Sequence, residues 1–419
     1  MKSLSSTTAD LIHILQARGF VHQCTNTQQL SSLSKSGIVT AYNGFDATAD
    51  SLHIGHLMPI MMLRWIQESG HRPIALMGGG TTKVGDPSGK DETRQLLDTD
   101  TINNNISKIQ KTFERFLTFG DSNNDAILVN NAEWLDSLLY IPFLRDVGRH
   151  FTINRMLTMD SVKLRLDREQ PLSFLEFNYM ILQSFDFVEL HKRYGCILQT
   201  GGSDQWGNIV NGADLGRRIV GAELYGLTCP LITTSSGAKM GKTADGAIWL
   251  SPERFSAYDY FQYWRNTEDA DIGRFLRLFT EIPLDEIARL EVLQAEEINE
   301  AKKILAFNAT ELLHGKDAAN NAMKTAQTTF EAGGLGEDLP KLDISSNDIK
   351  DGISVIDLFQ QSGLCKSRGE ARRLIKGRGA RLNDEFISDE NQLISEDDFG
   401  NGTAKISAGK KRHIVIVLR

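Results

Sequence analysis

Residues 37–66 read as three pieces in a fixed order. Residues 37–42, Gly-Ile-Val-Thr-Ala-Tyr, are β-branched and aromatic enough for a buried strand, and Asp46 to Ser51 is a polar turn of the kind that precedes helices. Residues 52–66 then carry apolar positions at helical spacing. A second strand is expected over 71–77, opening into the glycine-rich run 78–90. Strand, helix, strand and glycine loop in that order point to a parallel α/β sheet.

The first strand-to-helix junction also carries chemistry. A helix start leaves backbone N–H groups without intrahelical partners, and the helix dipole favours negative charge there, so the junction is a seat for phosphate. His53 and His56 lie three residues apart, which on the first helical turn puts both imidazoles on one side, able to donate to phosphate oxygens. Gly55 between them has no Cβ, so a flat ring such as adenine fits against its backbone. Two histidines at this spacing also suit metal ligation or plain surface positions. A metal needs a third ligand, and the closest acids read as turn or helix-start residues.

A chain of 419 residues exceeds one ordinary core, so two or three domains are expected. No apolar run approaches the length of a membrane span and the first residues lack a secretory hydrophobic stretch, which points to the cytoplasm. Cys24, Cys196, Cys229 and Cys365 are far apart and form no CxxC, so neither a disulfide framework nor a zinc site is indicated. The net charge of −8 argues against nucleic acid as a general partner, but the average hides a reversal. Lys366, Arg368, Arg372, Arg373, Lys376, Arg378 and Arg381 cluster near the end, followed by Lys410, Lys411 and Arg412.

Two glycine–lysine stretches resemble P-loops and both fail. Lys90 is followed by Asp91, and in 237–243 only three residues separate the glycines before Lys242 and Thr243. Residues 173–187 are too apolar for a surface helix, yet Tyr179, Gln183 and Asp186 recur at i, i+4 and i+7. Three hydrogen-bonding tips therefore share one face of a mostly buried helix, either as satisfied core contacts or as a lined pocket. The strand 196–200 leads into Gly201-Gly202-Ser203-Asp204-Gln205-Trp206-Gly207-Asn208, a second strand-end turn of the type where open parallel sheets bind ligands. Lys239 and Lys242 sit in a glycine-flanked loop suited to meeting a triphosphate. A helical region is expected over 251–330 with a heptad-like stretch at 287–305, a linker over 332–351 rich in Gly and Asp, and helices at 353–362 and 367–377. A final strand is expected over 412–418.

The His53-Ile54-Gly55-His56 stretch resembles the first signature of the class I aminoacyl-tRNA synthetases, in the form found in bacterial-type tyrosyl-tRNA synthetases. Residues 201–208 are nearly letter for letter those of the same family, Lys239-Met240-Gly241-Lys242-Thr243 is similar to its Lys-Met-Ser-Lys-Ser signature, and 353–383 looks like an S4-type RNA-binding module. The resemblance implies a Rossmann-like catalytic domain over 1–236, the lysine loop over 237–248, a helical anticodon-side domain over 249–331, the linker 332–351 and a small α+β S4-like domain over 352–419.

It further implies a two-step reaction, in which the tyrosine carboxylate attacks the α-phosphorus of ATP and the adenylate then esterifies the 3′ end of tRNA(Tyr). ATP would come with Mg2+, and no zinc is expected. In this scheme Thr48, His53 and His56 hold the triphosphate, Lys90 and Arg94 assist, and Lys239, Lys242 and Thr243 clamp the pyrophosphate. Asp46 and Asp86 take the substrate ammonium with Tyr179 and Gln183 beside it, and Tyr42 and Asp186 read the phenol. Gly44, Gly55, Asp204 and Gln205 complete the nucleotide and substrate contacts, and Lys366, Arg368, Arg372, Arg373 and Lys376 meet RNA. The family works as a homodimer, which is expected here.

Two departures stand out: Pro59 early in the signature helix cannot donate to the Gly55 carbonyl and is expected to distort or delay that turn, and Gly241 and Thr243 replace two serines. The rival readings are a tryptophan-specific sibling, which lacks the S4-like tail, and an RNA-binding regulator on an inactive synthetase fold, against which His53, His56, Lys239 and Lys242 argue.

Overall fold

The computed structural model describes residues 10–88, 96–237, 240, 242, 243, 246–331, 339–350, 352–409 and 412–419; for 242, 243, 329–331 and 347 only the backbone is described. The chain divides into two compact units, one of residues up to Ser256 with Tyr263–His314, the other of Ala257–Gln262 with Gly315–Arg419.

The first unit is built on a six-stranded sheet of β1 (Gln23–Cys24), β2 (Thr40–Phe45), β3 (Arg72–Met77), β4 (Ile127–Asn130), β5 (Leu198–Gly202) and β6 (Tyr225–Cys229), in the spatial order β1-β6-β5-β2-β3-β4. Only β1 runs antiparallel to its neighbour. The parallel strands reverse their order of addition between β2 and β5, which is the topological switch point of a doubly wound sheet. Burial follows this role, since β3 is buried at five of six positions and β6 at all five. Strands covered on both faces read as apolar runs instead of alternating.

The helix after β2 spans Ile54–Glu68 and buries nine side chains, among them Leu57, Met58, Met61, Met62 and Ile66. It passes through Pro59 without ending there, and it begins two residues later than the expected residue 52. Pro59 still supplies no N–H for the Gly55 carbonyl. The start differs from expectation: His53 is the N-cap and Ile54 the first helical residue. The expected single helix over 173–187 is two, Phe174–Phe177 and Tyr179–Tyr194, the first opened by a reciprocal cap between Ser173 and Glu176. The heptad-like stretch is likewise interrupted, by the turn between helices Leu284–Glu291 and Ile298–His314.

In the second unit five strands order as Glu385–Phe386, Ala380–Leu382, Thr403–Ala408, Arg412–Leu418 and Lys341–Ile344. The last pair is parallel, so residues 341–344, inside the stretch read as linker, are an edge strand of the tail's own sheet. Helices Val355–Gln361 and Arg368–Lys376 supply Val355, Leu358, Phe359, Ala371 and Ile375 to the apolar core of this unit. Helix Arg368–Lys376 is capped by Ser367, whose side chain accepts the Glu370 N–H.

Candidate functional site

A cavity of about 480 Å3 opens at the carboxyl ends of β2 and β5, where open parallel sheets place their ligands. Its lining includes Tyr42, Gly44, Asp46, Thr48, His53, Gly55, His56, Asp86, Tyr179, Gln183, Asp186, Asp204 and Gln205, every described side chain expected there from sequence. Lys90, Arg94 and Lys239 lie outside the described residues, and Lys242 and Thr243 are placed by backbone alone, in a short hairpin with Gly246–Ala247.

At the helix start the two histidines act on the backbone first. His53 Nδ1 accepts the Gly55 N–H at 3.0 Å and His56 Nδ1 accepts the His53 N–H at 3.2 Å, with the ring centroids 4.1 Å apart. A neutral ring whose Nδ1 accepts carries its proton on Nε2, so each imidazole is set as a donor on its outer edge. The sequence reading placed both rings on a helical turn; the structure instead folds His53 back as a cap. This folding is why residue 55 is glycine, because a Cβ there would lie 2.8 Å from His53 Cε1. Gly78 answers to the same logic, since its Cβ would fall 2.2 Å from Asp46 Oδ1. The buried run 78–82 is a buttress for the first junction: Thr82 Oγ1 accepts the Ala47 N–H and Thr81 Oγ1 donates to Asp46 Oδ1, both at 2.9 Å.

The acidic groups of the cavity each hold their own hydrogen-bonding partners. Asp46 Oδ2 accepts from the Tyr179 hydroxyl at 3.3 Å, and Asp86 accepts from the Ser88 N–H at 2.8 Å and from Gln205 Nε2 at 2.9 Å. Gln205 is itself held by Asn208 Nδ2 at 3.1 Å from the helix Trp206–Val220. Two carboxylates, a phenol and an amide line the same cavity, a set suited to an ammonium group with hydrogen-bonding neighbours.

The buried end of the cavity is different. Asp186 is 2% exposed, and its two oxygens accept from Trp134 Nε1 at 2.8 Å and Asn131 Nδ2 at 2.9 Å. Burial pushes its carboxyl up to about 7, opposed by those two donors and reinforced by the charge of Asp46. Tyr42, 1% exposed, has a hydroxyl with no hydrogen-bond partner among the described residues. Burial, with the charge of Asp186 added, raises the Tyr42 hydroxyl well above its ordinary range, so it stays a donor. Gln183 Oε1 is also without a partner among the described residues. An unpartnered donor beside a buried acceptor is the signature of a site awaiting a group that can both accept and donate.

Asn131 and Trp134 escaped the sequence reading. Asn131 also accepts the Gly80 N–H at 2.8 Å and donates to Thr81 Oγ1 at 3.0 Å, tying the glycine loop to Asp186. The available signal was their position just past β4, at the same carboxyl edge as the other site residues.

Among the described residues no group of three or more His, Cys, Asp or Glu side chains is arranged to hold a metal, and no helix is long and apolar enough to cross a membrane. In the second unit Lys366, Arg368, Arg372, Arg373 and Lys376 are all exposed on or beside one helix. Arg368 pairs with Asp357 at 2.6 Å and Lys376 with Glu390 at 3.3 Å, leaving Arg372 and Arg373 without an acidic partner among the described residues.

A family model described as tRNA synthetases class I (W and Y) matches residues 34–331. Tyrosine–tRNA ligase of Nitrobacter winogradskyi is 60% identical over 409 residues, covering 97% of this chain and 98% of its own. That of Rhodospirillum rubrum is 58% identical over 413 residues, covering 99% of each. Among solved structures, a C-terminally truncated mitochondrial tyrosyl-tRNA synthetase of Aspergillus nidulans is 30% identical with a TM-score of 0.69, covering 77% of this chain and 94% of that one. The chain therefore belongs to the class I tRNA synthetases of the tryptophan and tyrosine type.

Proposed function

We propose that this chain is a tyrosine–tRNA ligase, activating L-tyrosine with ATP and transferring it to the 3′ end of tRNA(Tyr). Relatives at 55–60% identity over nearly the full length carry that name. The observation that favours tyrosine over tryptophan is the buried end of the cavity: a phenol oxygen can accept from Tyr42 while its O–H donates to Asp186. An indole has one donor and no acceptor, and would leave the Tyr42 hydroxyl unpaired.

In this reading the ammonium sits against Asp46, Asp86 and Tyr179, with Gln183 and Gln205 alongside, which aims the carboxylate toward the helix start at Ile54. The attacking group is already ionised, so the side chains position the reactants and stabilise charge. The Nε2 protons of His53 and His56, with Thr48, meet the triphosphate as charge moves toward pyrophosphate. Lys90, Arg94, Lys239, Lys242 and Thr243 assist from neighbouring loops, while Gly44, Gly55, Asp204 and Gln205 receive the nucleoside. Mg2+ would arrive with the nucleotide, because it binds chiefly through substrate phosphates and water.

The exposed cations from Lys366 to Lys376 are the proposed RNA contact. A homodimer is proposed from a run of exposed large apolar side chains, Leu139, Tyr140, Ile141, Ile153 and Phe174; sedimentation at twice the chain mass supports it and a monomer at micromolar concentration refutes it. Free Cys24, Cys196, Cys229 and Cys365 suit the cytoplasm, where ATP and tRNA are supplied. The function is tested by incubating purified chain with bulk bacterial tRNA, ATP and radiolabelled amino acids. Alkali-labile tyrosyl-tRNA is expected, and tryptophanyl-tRNA in its place would overturn the assignment.

A further inference from the structure

The two lysines of the second signature lie on a stretch whose incoming and outgoing limbs rest on different supports. On the outgoing side Ile54 donates its N–H to the Ile248 carbonyl and Leu250 to that of Leu52, both at 2.8 Å, with His53 and Trp249 bridged between them. That limb is therefore part of the first signature. On the incoming side a cluster of supports comes from residues 268–274, which comprise the tight turn Asp269–Asp271 and the start of the helix Ile272–Phe279. Ser235 donates its N–H to Asp271 Oδ2 at 2.8 Å and its hydroxyl to Glu268 Oε2 at 2.6 Å. Ser236 donates to Glu268 Oε1 at 2.8 Å, and Arg274 donates to the Thr233 carbonyl while pairing with Asp271 Oδ1 at 2.7 Å.

Asp271 is the centre of this cluster. Its side chain is 3% exposed, with one oxygen on a loop N–H and the other on a guanidinium that grips the same limb two residues earlier. A buried carboxylate holds both partners strongly, because losing either leaves a desolvated charge unsatisfied. The neighbouring Leu231 and Ile232 line the catalytic cavity, and the Met240 N–H returns to the Ile232 carbonyl at 3.1 Å. The far end of the helix Ile272–Phe279 is in turn bound to the signature helix. Arg18 stacks on Trp65 at 3.7 Å and donates to the carbonyls of Arg277, Thr280 and Ile282 just beyond, and Arg64 pairs with Glu281.

We propose that Asp271, with Glu268 and Arg274, is a positioning cluster for amino-acid activation: it sets the incoming limb of the lysine loop against the first signature while touching no reacting atom. The inference rests on the reading of Lys239 and Lys242 as the pyrophosphate clamp. A misplacement of about 1 Å in such a clamp lowers the chemical rate by up to about 100-fold.

The test is Asp271→Asn and Glu268→Gln in the full chain, with tyrosine affinity, the single-turnover rate of adenylate formation and the thermal midpoint all measured. Asp271→Asn is expected to leave tyrosine affinity within about twofold and slow adenylate formation about tenfold or more. Glu268→Gln, on an exposed carboxylate whose loss does not endanger folding, is expected to slow it by about threefold through the same limb. In a Lys242→Ala background Asp271→Asn should add little, since residues acting as a unit are non-additive. An unchanged rate in both variants, a loss shared equally with tyrosine affinity, or losses that multiply with Lys242→Ala would each overturn the proposal. If Lys242→Ala alone leaves the rate unchanged, the clamp reading falls and takes this inference with it; if Lys242→Ala slows the reaction and the cluster variants do not, only the inference falls.

Discussion

Replacing Tyr42 by Phe separates the needs of the fold from those of the substrate. The Tyr42 hydroxyl is buried without a partner among the described residues, a state that costs about 1–3 kcal/mol for a desolvated donor. Phe keeps the ring and its edge-on contact with Phe187 at 5.2 Å, so the empty protein should be as stable as before or more so. The bound state loses one neutral hydrogen bond to the phenol, about 0.5–1.5 kcal/mol or about a 2- to 13-fold fall in kcat/KM for tyrosine. With phenylalanine the hydroxyl is unpaired before and after binding, so kcat/KM for phenylalanine should hold and the discrimination ratio should narrow by about what tyrosine loses. ATP–pyrophosphate exchange with each amino acid gives the ratio, and urea unfolding gives the stability. A variant that is less stable and keeps its discrimination would refute the reasoning, because the hydroxyl would then serve the fold.

Other outcomes follow from the same geometry. Asp186, held at about 7 by burial, is protonated in the empty site below that pH, so kcat/KM for tyrosine should fall up to tenfold per unit as pH drops below about 7. The stability effect has the opposite sign: the folded chain holds this proton between the ordinary value of 3.8 and about 7 while the unfolded chain has lost it. Stability should therefore decline as pH rises through that window, which urea titrations at each pH can read. Asn131→Ala removes a donor that lowers the Asp186 carboxyl, and should move the kinetic midpoint upward while reducing tyrosine activation at pH 7 by about 10- to 150-fold. Gly55→Ala drives a methyl into the His53 ring, and should raise KM for ATP while tyrosine affinity measured without ATP stays unchanged. Replacing Arg372 and Arg373 by Ala should weaken tRNA binding, lower its log–log salt slope by about 1 per arginine, and leave pyrophosphate exchange intact.

The parallel sheet was legible because residues 37–42, 71–77 and 196–200 carry aliphatic, β-branched or aromatic stretches that stop at turns rich in Gly, Asp and Ser, a pattern set by local chemistry. The polar tips of Tyr179, Gln183 and Asp186 could be placed on one face from helical spacing, and the cavity receives all three. The break at Asn178 was hidden because it leaves that spacing undisturbed from Tyr179 onward. His53 as a cap was not legible either. Capping by an imidazole depends on a side-chain rotation that spacing does not encode. Strand Lys341–Ile344 was read as linker because its partner lies some seventy residues away and its own sequence, Lys-Leu-Asp-Ile, is short and half polar. Asn131 was passed over for a similar reason: its partners Gly80, Thr81 and Asp186 come together only when the sheet forms.

The central claim, that one cavity activates tyrosine and reads its phenol, is tested most directly by ATP–pyrophosphate exchange with purified chain offered tyrosine, phenylalanine and tryptophan separately. The account predicts exchange with tyrosine alone. Exchange with tryptophan would contradict the roles given to Tyr42 and Asp186, and no exchange with any of the three would contradict the catalytic reading itself.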